Sequence, residues 1–200
     1  SISGLPSTIG VAENQTNVVT VSATDPNGDS ITYTLTGTDA ADFTISSAGV
    51  ITFNTAPDFE TRSFYSITVN VSDGTHASSQ SVAITVTNAN DAPVISGLEL
   101  SVSVTENQTA VVTVSATDAD GDTVTYSLTG TDAADFSIAS TGVITFNTAP
   151  DFETKSSYEV TVNVGDGTST INQTLTISVT NANETPTAVA LSGTSIAENA

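Results

Sequence analysis

The run VAENQTNVVTVSATDPNGDSITYTLTGTDAADF, beginning at Val11, returns almost unchanged at Val104 as VTENQTAVVTVSATDADGDTVTYSLTGTDAADF. The offset is 93 residues, and it holds along the whole unit: Glu13 to Glu106, Asp58 to Asp151, Asp73 to Asp166, Pro93 to Pro186. Roughly 70% of the aligned positions are identical, the mark of an array grown by duplication. A period this long exceeds any solenoid unit and suits one small globular domain, so each copy is expected to fold alone. The expected boundaries are 1–92 for repeat 1, 93–185 for repeat 2 and 186–200 for the start of a truncated third, because SIAEN at 195–199 restarts the pattern. The chain is therefore expected to be a segment of a longer protein.

Within a repeat the apolar residues alternate with polar ones. Val19, Val21 and Ala23 do so, as do Tyr33 and Leu35, Ile51 and Phe53, then Tyr65, Ile67, Val69 and Val71, and last Val82, Ile84 and Val86. Period-two alternation marks half-buried antiparallel strands. Asp25-Pro26-Asn27-Gly28-Asp29, Gly37-Thr38-Asp39 and Asp73-Gly74-Thr75 punctuate them as turns. With short strands near 8–12 and 43–45, the count reaches about seven in each repeat. The fold class is all-β: two tandem Greek-key β-sandwiches of seven strands, with no helix of useful length.

Twenty-two acidic residues stand against Arg62 and Lys155, a formal net charge of −20. Such a surface repels nucleic-acid phosphates and anionic membranes. There is no cysteine, and His76 is the one histidine, replaced by Ser169 in repeat 2. Thiolate metal sites are excluded, zinc and copper fit poorly, and nucleophile–base chemistry has no base. Asp58 and Glu60 are too close in sequence to flank a glycosidic bond. An enzyme is not expected. Many carboxylates fall at strand ends and turns, where a sandwich collects its loops at two poles: Glu13, Asp25, Asp29, Asp58, Glu60, Asp73 and Asp91. Either they are solvated turn residues, or they converge on a hard cation such as Ca²⁺, which takes oxygen ligands. An EF-hand is excluded for Asp118-Ala119-Asp120-Gly121-Asp122, because Thr123 and Thr129 occupy the positions that need Gly and Glu.

In these residues each repeat resembles a bacterial cadherin-like domain of the kind found in large surface adhesins. The motifs appear in order, twice: Glu13-Asn14 and Glu106-Asn107; Asp25-Pro26-Asn27 and Asp118-Ala119-Asp120; Asp58-Phe59-Glu60 and Asp151-Phe152-Glu153; Tyr65 through Asp73 and Tyr158 through Asp166; then the linker Asn88-Ala89-Asn90-Asp91-Ala92-Pro93. Phe replaces the family's Arg between the paired acids, and Glu184 replaces the linker Asp in the second copy. The resemblance implies Ca²⁺ between consecutive domains. Carried over, Glu13, Asp58, Glu60, Asn88, Asn90 and Asp91 with Asp118, Asp120 and Asp166 form one complete ligand set. Glu106, Asp151, Glu153, Asn183 and Glu184 form half of the next, while Asp25, Asn27 and Asp73 face upstream.

The expected function is a calcium-rigidified spacer of an extracellular, cell-surface adhesin, monomeric, whose partners are its neighbouring repeats. The alternative is a module that binds polysaccharide or another cell-surface protein. Phe59 and Phe152 are expected to pack on the linker or the adjoining domain. Arg62 and Lys155 are expected either to pair locally beside the acidic loop or to be solvated. Asp29, Asp39 and Asp42 are expected to be turn and cap residues, and His76 a solvated loop residue.

Overall fold

The computed structural model describes residues 2–185. The expected third-repeat start, 186–200, lies outside the described residues. The chain divides into two compact units between Asp91 and Ala92.

The first unit comprises β1 (Ile2–Ser3), β2 (Thr8–Ala12), β3 (Asn17–Thr20), β4 (Ser22–Ala23), β5 (Thr32–Thr36), β6 (Phe43–Ile45), β7 (Val50–Phe53), β8 (Phe64–Ser72) and β9 (Ala77–Thr87). Counting β1/β2 and β3/β4 as two broken strands gives the expected seven. Four strands form one sheet in the order β2-β9-β8-β5 and three form the other, β3-β7-β6, with β1 paired to β4. One three-residue 3-10 turn, Ala40–Asp42, precedes β6. Alternation is sharpest on β8 and β9, where Tyr65, Ile67, Val69, Val71, Val82, Ile84 and Val86 are buried against Val11, Val21, Phe43, Ile51 and Phe53. Each fully buried aliphatic side chain contributes about 1.5–3 kcal/mol of transfer free energy. Phe43, Phe53 and Tyr65 form an aromatic cluster, with Tyr65 edge-on to the two Phe rings at 5.7 and 5.1 Å between centroids.

The second unit repeats this plan with β10 (Val94–Ser96), β11 (Ser101–Thr105), β12 (Ala110–Thr113), β13 (Ser115–Thr117), β14 (Thr125–Thr129), β15 (Phe136–Ile138), β16 (Val143–Phe146), β17 (Ser157–Gly165) and β18 (Thr170–Thr180). Its sheets are β11-β18-β17-β14 and β12-β16-β15, with β10 paired to β13.

One pairing decides what the loops can do. In a sheet otherwise antiparallel, β2 lies parallel to β9, with Ala12 opposite Thr87; likewise β11 lies parallel to β18, with Thr105 opposite Thr180. The chain leaves both strands of the pair at the same end. Glu13 therefore emerges beside the segment starting at Asn88, and Glu106 beside the segment starting at Asn181. At the other end of the second unit, Thr125 opposite Gly165 brings the 118–124 loop beside the turn that carries Asp166.

The two cationic residues serve the fold in the same way. Arg62 lies over the Tyr65 ring at 4.1 Å and pairs with Asp39 at 2.5 Å; Lys155 lies over Tyr158 at 4.2 Å and pairs with Asp132 at 2.5 Å. Asp42 and Asp135 complete the clusters at 3.3 and 3.8 Å. The ion pairs thus form across to the loop before β6 and β15, not within the acidic loop beside them. Asp39 stands at the N-cap position of the 3-10 turn but makes no side-chain cap hydrogen bond; its second oxygen instead accepts the Ser66 N–H at 2.7 Å. Phe59 and Phe152, half-buried, pack against the core of their own unit. The reason is that each follows the bend of its loop inward, with its N–H anchored to a buried glutamate. His76 is 85% exposed, as expected.

The loop glycines Gly49 and Gly142 sit at φ +81°, and an added Cβ would lie 2.2 and 2.1 Å from the carbonyl oxygens of Val21 and Val114. Gly49→Ala and Gly142→Ala should each cost about 2 kcal/mol or more in urea unfolding. Gly28→Ala, at φ +81° with nothing within 4 Å, should cost only the left-handed penalty of about 1 kcal/mol; equal losses at these positions would contradict the clash. A second prediction concerns acid. The Arg62 guanidinium, then the Ser66 N–H, hold the Asp39 carboxyl below the ordinary carboxylate value. Its folded pKa is below its unfolded one, so its stabilisation is full above the unfolded value and lost as pH falls through the folded value. Asp39→Asn should therefore be less stable than the parent at neutral pH, and the gap should close on acidification. Urea midpoints in chelator across pH would test this, and a gap independent of pH would refute it.

Candidate metal centre

Glu13 begins the site. It is 3% exposed, and Glu106 is 1% exposed. A buried carboxylate is costly unless hydrogen-bonded or paired with a cation. Glu13 Oε2 accepts the Phe59 N–H at 2.7 Å and its Oε1 accepts the Ala89 N–H at 2.8 Å. Glu106 does the same with the N–H groups of Phe152, at 2.9 Å, and Ala182, at 2.7 Å. One side chain thus ties the strand end, the acidic loop and the segment after the last strand together.

Around it the structure gathers two of the expected groups. Carboxylate oxygens of Glu13, Asp58 and Glu60 lie within 4.8 Å of one another, and those of Glu106, Asp151 and Glu153 do likewise. At such spacing the like charges repel one another, less where solvent screens the exposed Asp58, Glu60, Asp151 and Glu153 than at the buried Glu13 and Glu106. Asp58 is held in place by Thr61, whose N–H and hydroxyl each donate at 2.9 Å; these hydrogen bonds keep its pKa below the ordinary value. The amide of Asn88 donates to Glu60 Oε1 at 3.3 Å, and that of Asn181 donates to Glu153 Oε1. The amide of Asn90 donates to the main-chain oxygen of Asp91 at 2.9 Å. Asn183 and Glu184 are exposed at the end of the second unit.

A third group forms at the opposite pole of the second unit, where oxygens of Asp118, Asp120 and Asp122 lie within 4.8 Å of one another. The sequence reading makes Asp29, the counterpart of Asp122, a turn residue, and the structure adds Asp122 to the group. The signal was present in the i, i+2, i+4 spacing of Asp118, Asp120 and Asp122, which a tight turn converts into convergence. Asp118 Oδ1 accepts the Asp122 N–H at 3.1 Å, whereas its Oδ2 is buried and receives no hydrogen bond. A buried carboxylate oxygen in that state calls for a positive partner. Asp166 lies at the same pole but outside this triad; its Oδ1 accepts the N–H groups of Thr168 and Ser169, both at 2.6 Å. The three donor sets consist entirely of oxygen, the chemistry of a hard divalent cation and not of zinc or copper.

Of the aromatic rings among the described residues, Phe64 alone is classed as exposed, at 54%. Tyr65 and Tyr158 are buried beneath their cations. Among the described residues no second ring is as exposed as Phe64, Tyr33, Phe59, Tyr126 and Phe152 being half-buried, so a broad aromatic platform for stacking a sugar is lacking there.

A model of the cadherin domain matches residues 7–87 and again 100–180. Over 180 residues the chain is 38% identical to protocadherin-like wing polarity protein stan of Drosophila melanogaster, covering 78% of this chain and 5% of that protein. Over 192 residues it is 28% identical to chitinase A of Pseudoalteromonas piscicida, covering 92% of this chain and 22% of the enzyme. The chain therefore spans a small part of either relative. Among solved structures, human protocadherin-24 EC1-2 shares the fold, with a TM-score of 0.59 at 24% identity over 88% of this chain and 95% of that one. Drosophila N-cadherin EC1-4 gives 0.56 at 23% identity, over 88% of this chain and 47% of that one. With both sandwiches matched along almost their full length, the chain belongs to the cadherin-domain family, as two tandem repeats.

Proposed function

We propose that these repeats are calcium-binding spacers of an extracellular, cell-surface adhesion protein, and that they are not themselves catalytic. The observation that carries the reading is the all-oxygen convergence at the poles: Glu13, Asp58 and Glu60 at the end of the first unit, and Asp118, whose Oδ2 is buried without a hydrogen bond, with Asp120 at the start of the second. Calcium would draw on these residues together with Asn88, Asn90, Asp91 and Asp166. A set completed by a further repeat would use Glu106, Asp151, Glu153, Asn183 and Glu184. Divalent ions shared in this way would cancel the repulsion among the carboxylates and remove the freedom that a short linker otherwise allows. Membership in the cadherin-domain family supports this reading. Among the described residues no helix is long and apolar enough to cross a membrane.

The chitinase relative brings polysaccharide into consideration as a partner. The matched stretch is 22% of that enzyme, and the lack of a stacking platform here weighs toward a spacer.

Calcium titration by calorimetry should give binding with Kd on the order of 10⁻⁴ to 10⁻³ M, the range of extracellular modules. Asp118→Asn combined with Asp120→Asn should weaken it by about tenfold or more. Chelation should open residues 88–94 to proteolysis. Absence of binding heat at millimolar calcium, with the same cleavage pattern with and without chelator, would sink the proposal.

A further inference from the structure

Two residues other than glycine have positive φ among the described residues, and they occupy the same place in the two units: Asn14 and Asn107, both at φ 61°. The left-handed region disfavours side chains with a Cβ, and Asn tolerates it best after Gly. The conformation is fixed from behind, since the N–H of Asn14 donates to the Pro57 oxygen and that of Asn107 to the Pro150 oxygen, both at 3.0 Å. It also turns the chain immediately after the buried Glu13 and Glu106. The amide that follows points the other way, toward the segment beyond the last strand. Asn14 Nδ2 donates to Asp91 Oδ1 at 2.9 Å, and Asn107 Nδ2 donates to Glu184 Oε1 at 3.0 Å.

The second contact survives a change of partner. Aspartate in one copy has become glutamate in the other, one methylene longer, and the amide still meets the carboxylate. The donor type matters as well. Lys or Arg could orient the same acid, but would neutralise it, and the two cations of the chain are committed to Asp39 and Asp132. An amide donates a hydrogen bond while leaving the full negative charge on its acceptor.

We propose that Asn14 and Asn107 are positioning residues for the linker acids: each uses a left-handed backbone to aim a neutral donor that holds Asp91 or Glu184 at the acidic pole with its charge intact. This rests on the calcium reading above. The contact orders an acid that sits outside the strands, so calcium finds it in place.

The test uses the whole chain, with calcium alone as ligand. Asn14→Gly keeps the left-handed backbone and removes the amide. It should leave the thermal midpoint in chelator close to that of the parent and weaken calcium binding by about three- to tenfold. In an Asp91→Ala background the same substitution should have no further effect, because the partner through which it acts is gone. A calcium-free readout is available too: in chelator, Asp91→Ala should displace the side-chain amide resonance of Asn14. Parental calcium affinity in Asn14→Gly, or a full additional loss in the Asp91→Ala background, would overturn the positioning role and leave the calcium reading standing. A parent chain that binds no calcium would overturn both.

Discussion

A carboxylate with almost no exposure to water sits at one pole of each sandwich, and the local structure is arranged around satisfying it. Glu13 and Glu106 receive two main-chain N–H groups apiece, from loops that would otherwise meet nothing in common. The arrangement reverses the usual penalty for a buried charge. The cost of desolvation is offset by charge-assisted hydrogen bonds, and those bonds dictate the path of the acidic loop and of the segment after the last strand. Replacing such a residue by an apolar one would leave two buried donors without partners. The pole exists as an ordered surface because one anion is inside it.

Fold and site are linked through a single strand pairing. Had β2 joined β9 in the antiparallel sense, Glu13 and Asn88 would leave from opposite ends of the sheet. The parallel pairing delivers them side by side, and the β7–β8 loop completes the set through the Asn14 N–H bond to the Pro57 oxygen. The core holds this geometry through unremarkable means: alternating Val and Ile on β8 and β9, and an aromatic cluster closed by a cation over tyrosine. The second unit reproduces each of these contacts with Lys155 in place of Arg62. That exchange is tolerated because the partner, Asp132, needs a point charge and not a bidentate fork.

Charge is distributed with the same economy. Acids crowd the turns, while the strands of the first unit present hydroxyl and amide groups to solvent. A chain of net charge −20 would be expected to resist compaction. Its two cations pair with acids beside the core, and apart from Glu159 on β17 most of the remaining acids lie in loops and turns, away from the packed interior of the sandwich.

Much of this was legible beforehand. The 93-residue repeat fixed the number of folding units, since near-identical neighbours must adopt the same fold. Period-two alternation located β8 and β9, where burial on one face is strict. Asp58 and Glu60 read either as solvated turn residues or, through the family resemblance, as ligands, and the structure brings their oxygens within 4.8 Å of one another and of Glu13. Other features had no local signature. Asp39 reads as a turn residue until the fold brings Arg62, far along the chain, against it. Phe59 reads as a residue that packs on the linker or the adjoining domain; that its ring also lies against the core of its own unit, with its N–H on Glu13, only the fold reveals. The membership of Asp122 in a triad depended on how tightly its turn closes, and the left-handed Asn14 on a bond to Pro57. Sequence determines periodicity, which is a local property of the chain. Which distant backbone group satisfies a buried charge is a property of the closed sandwich, and only tertiary structure decides it.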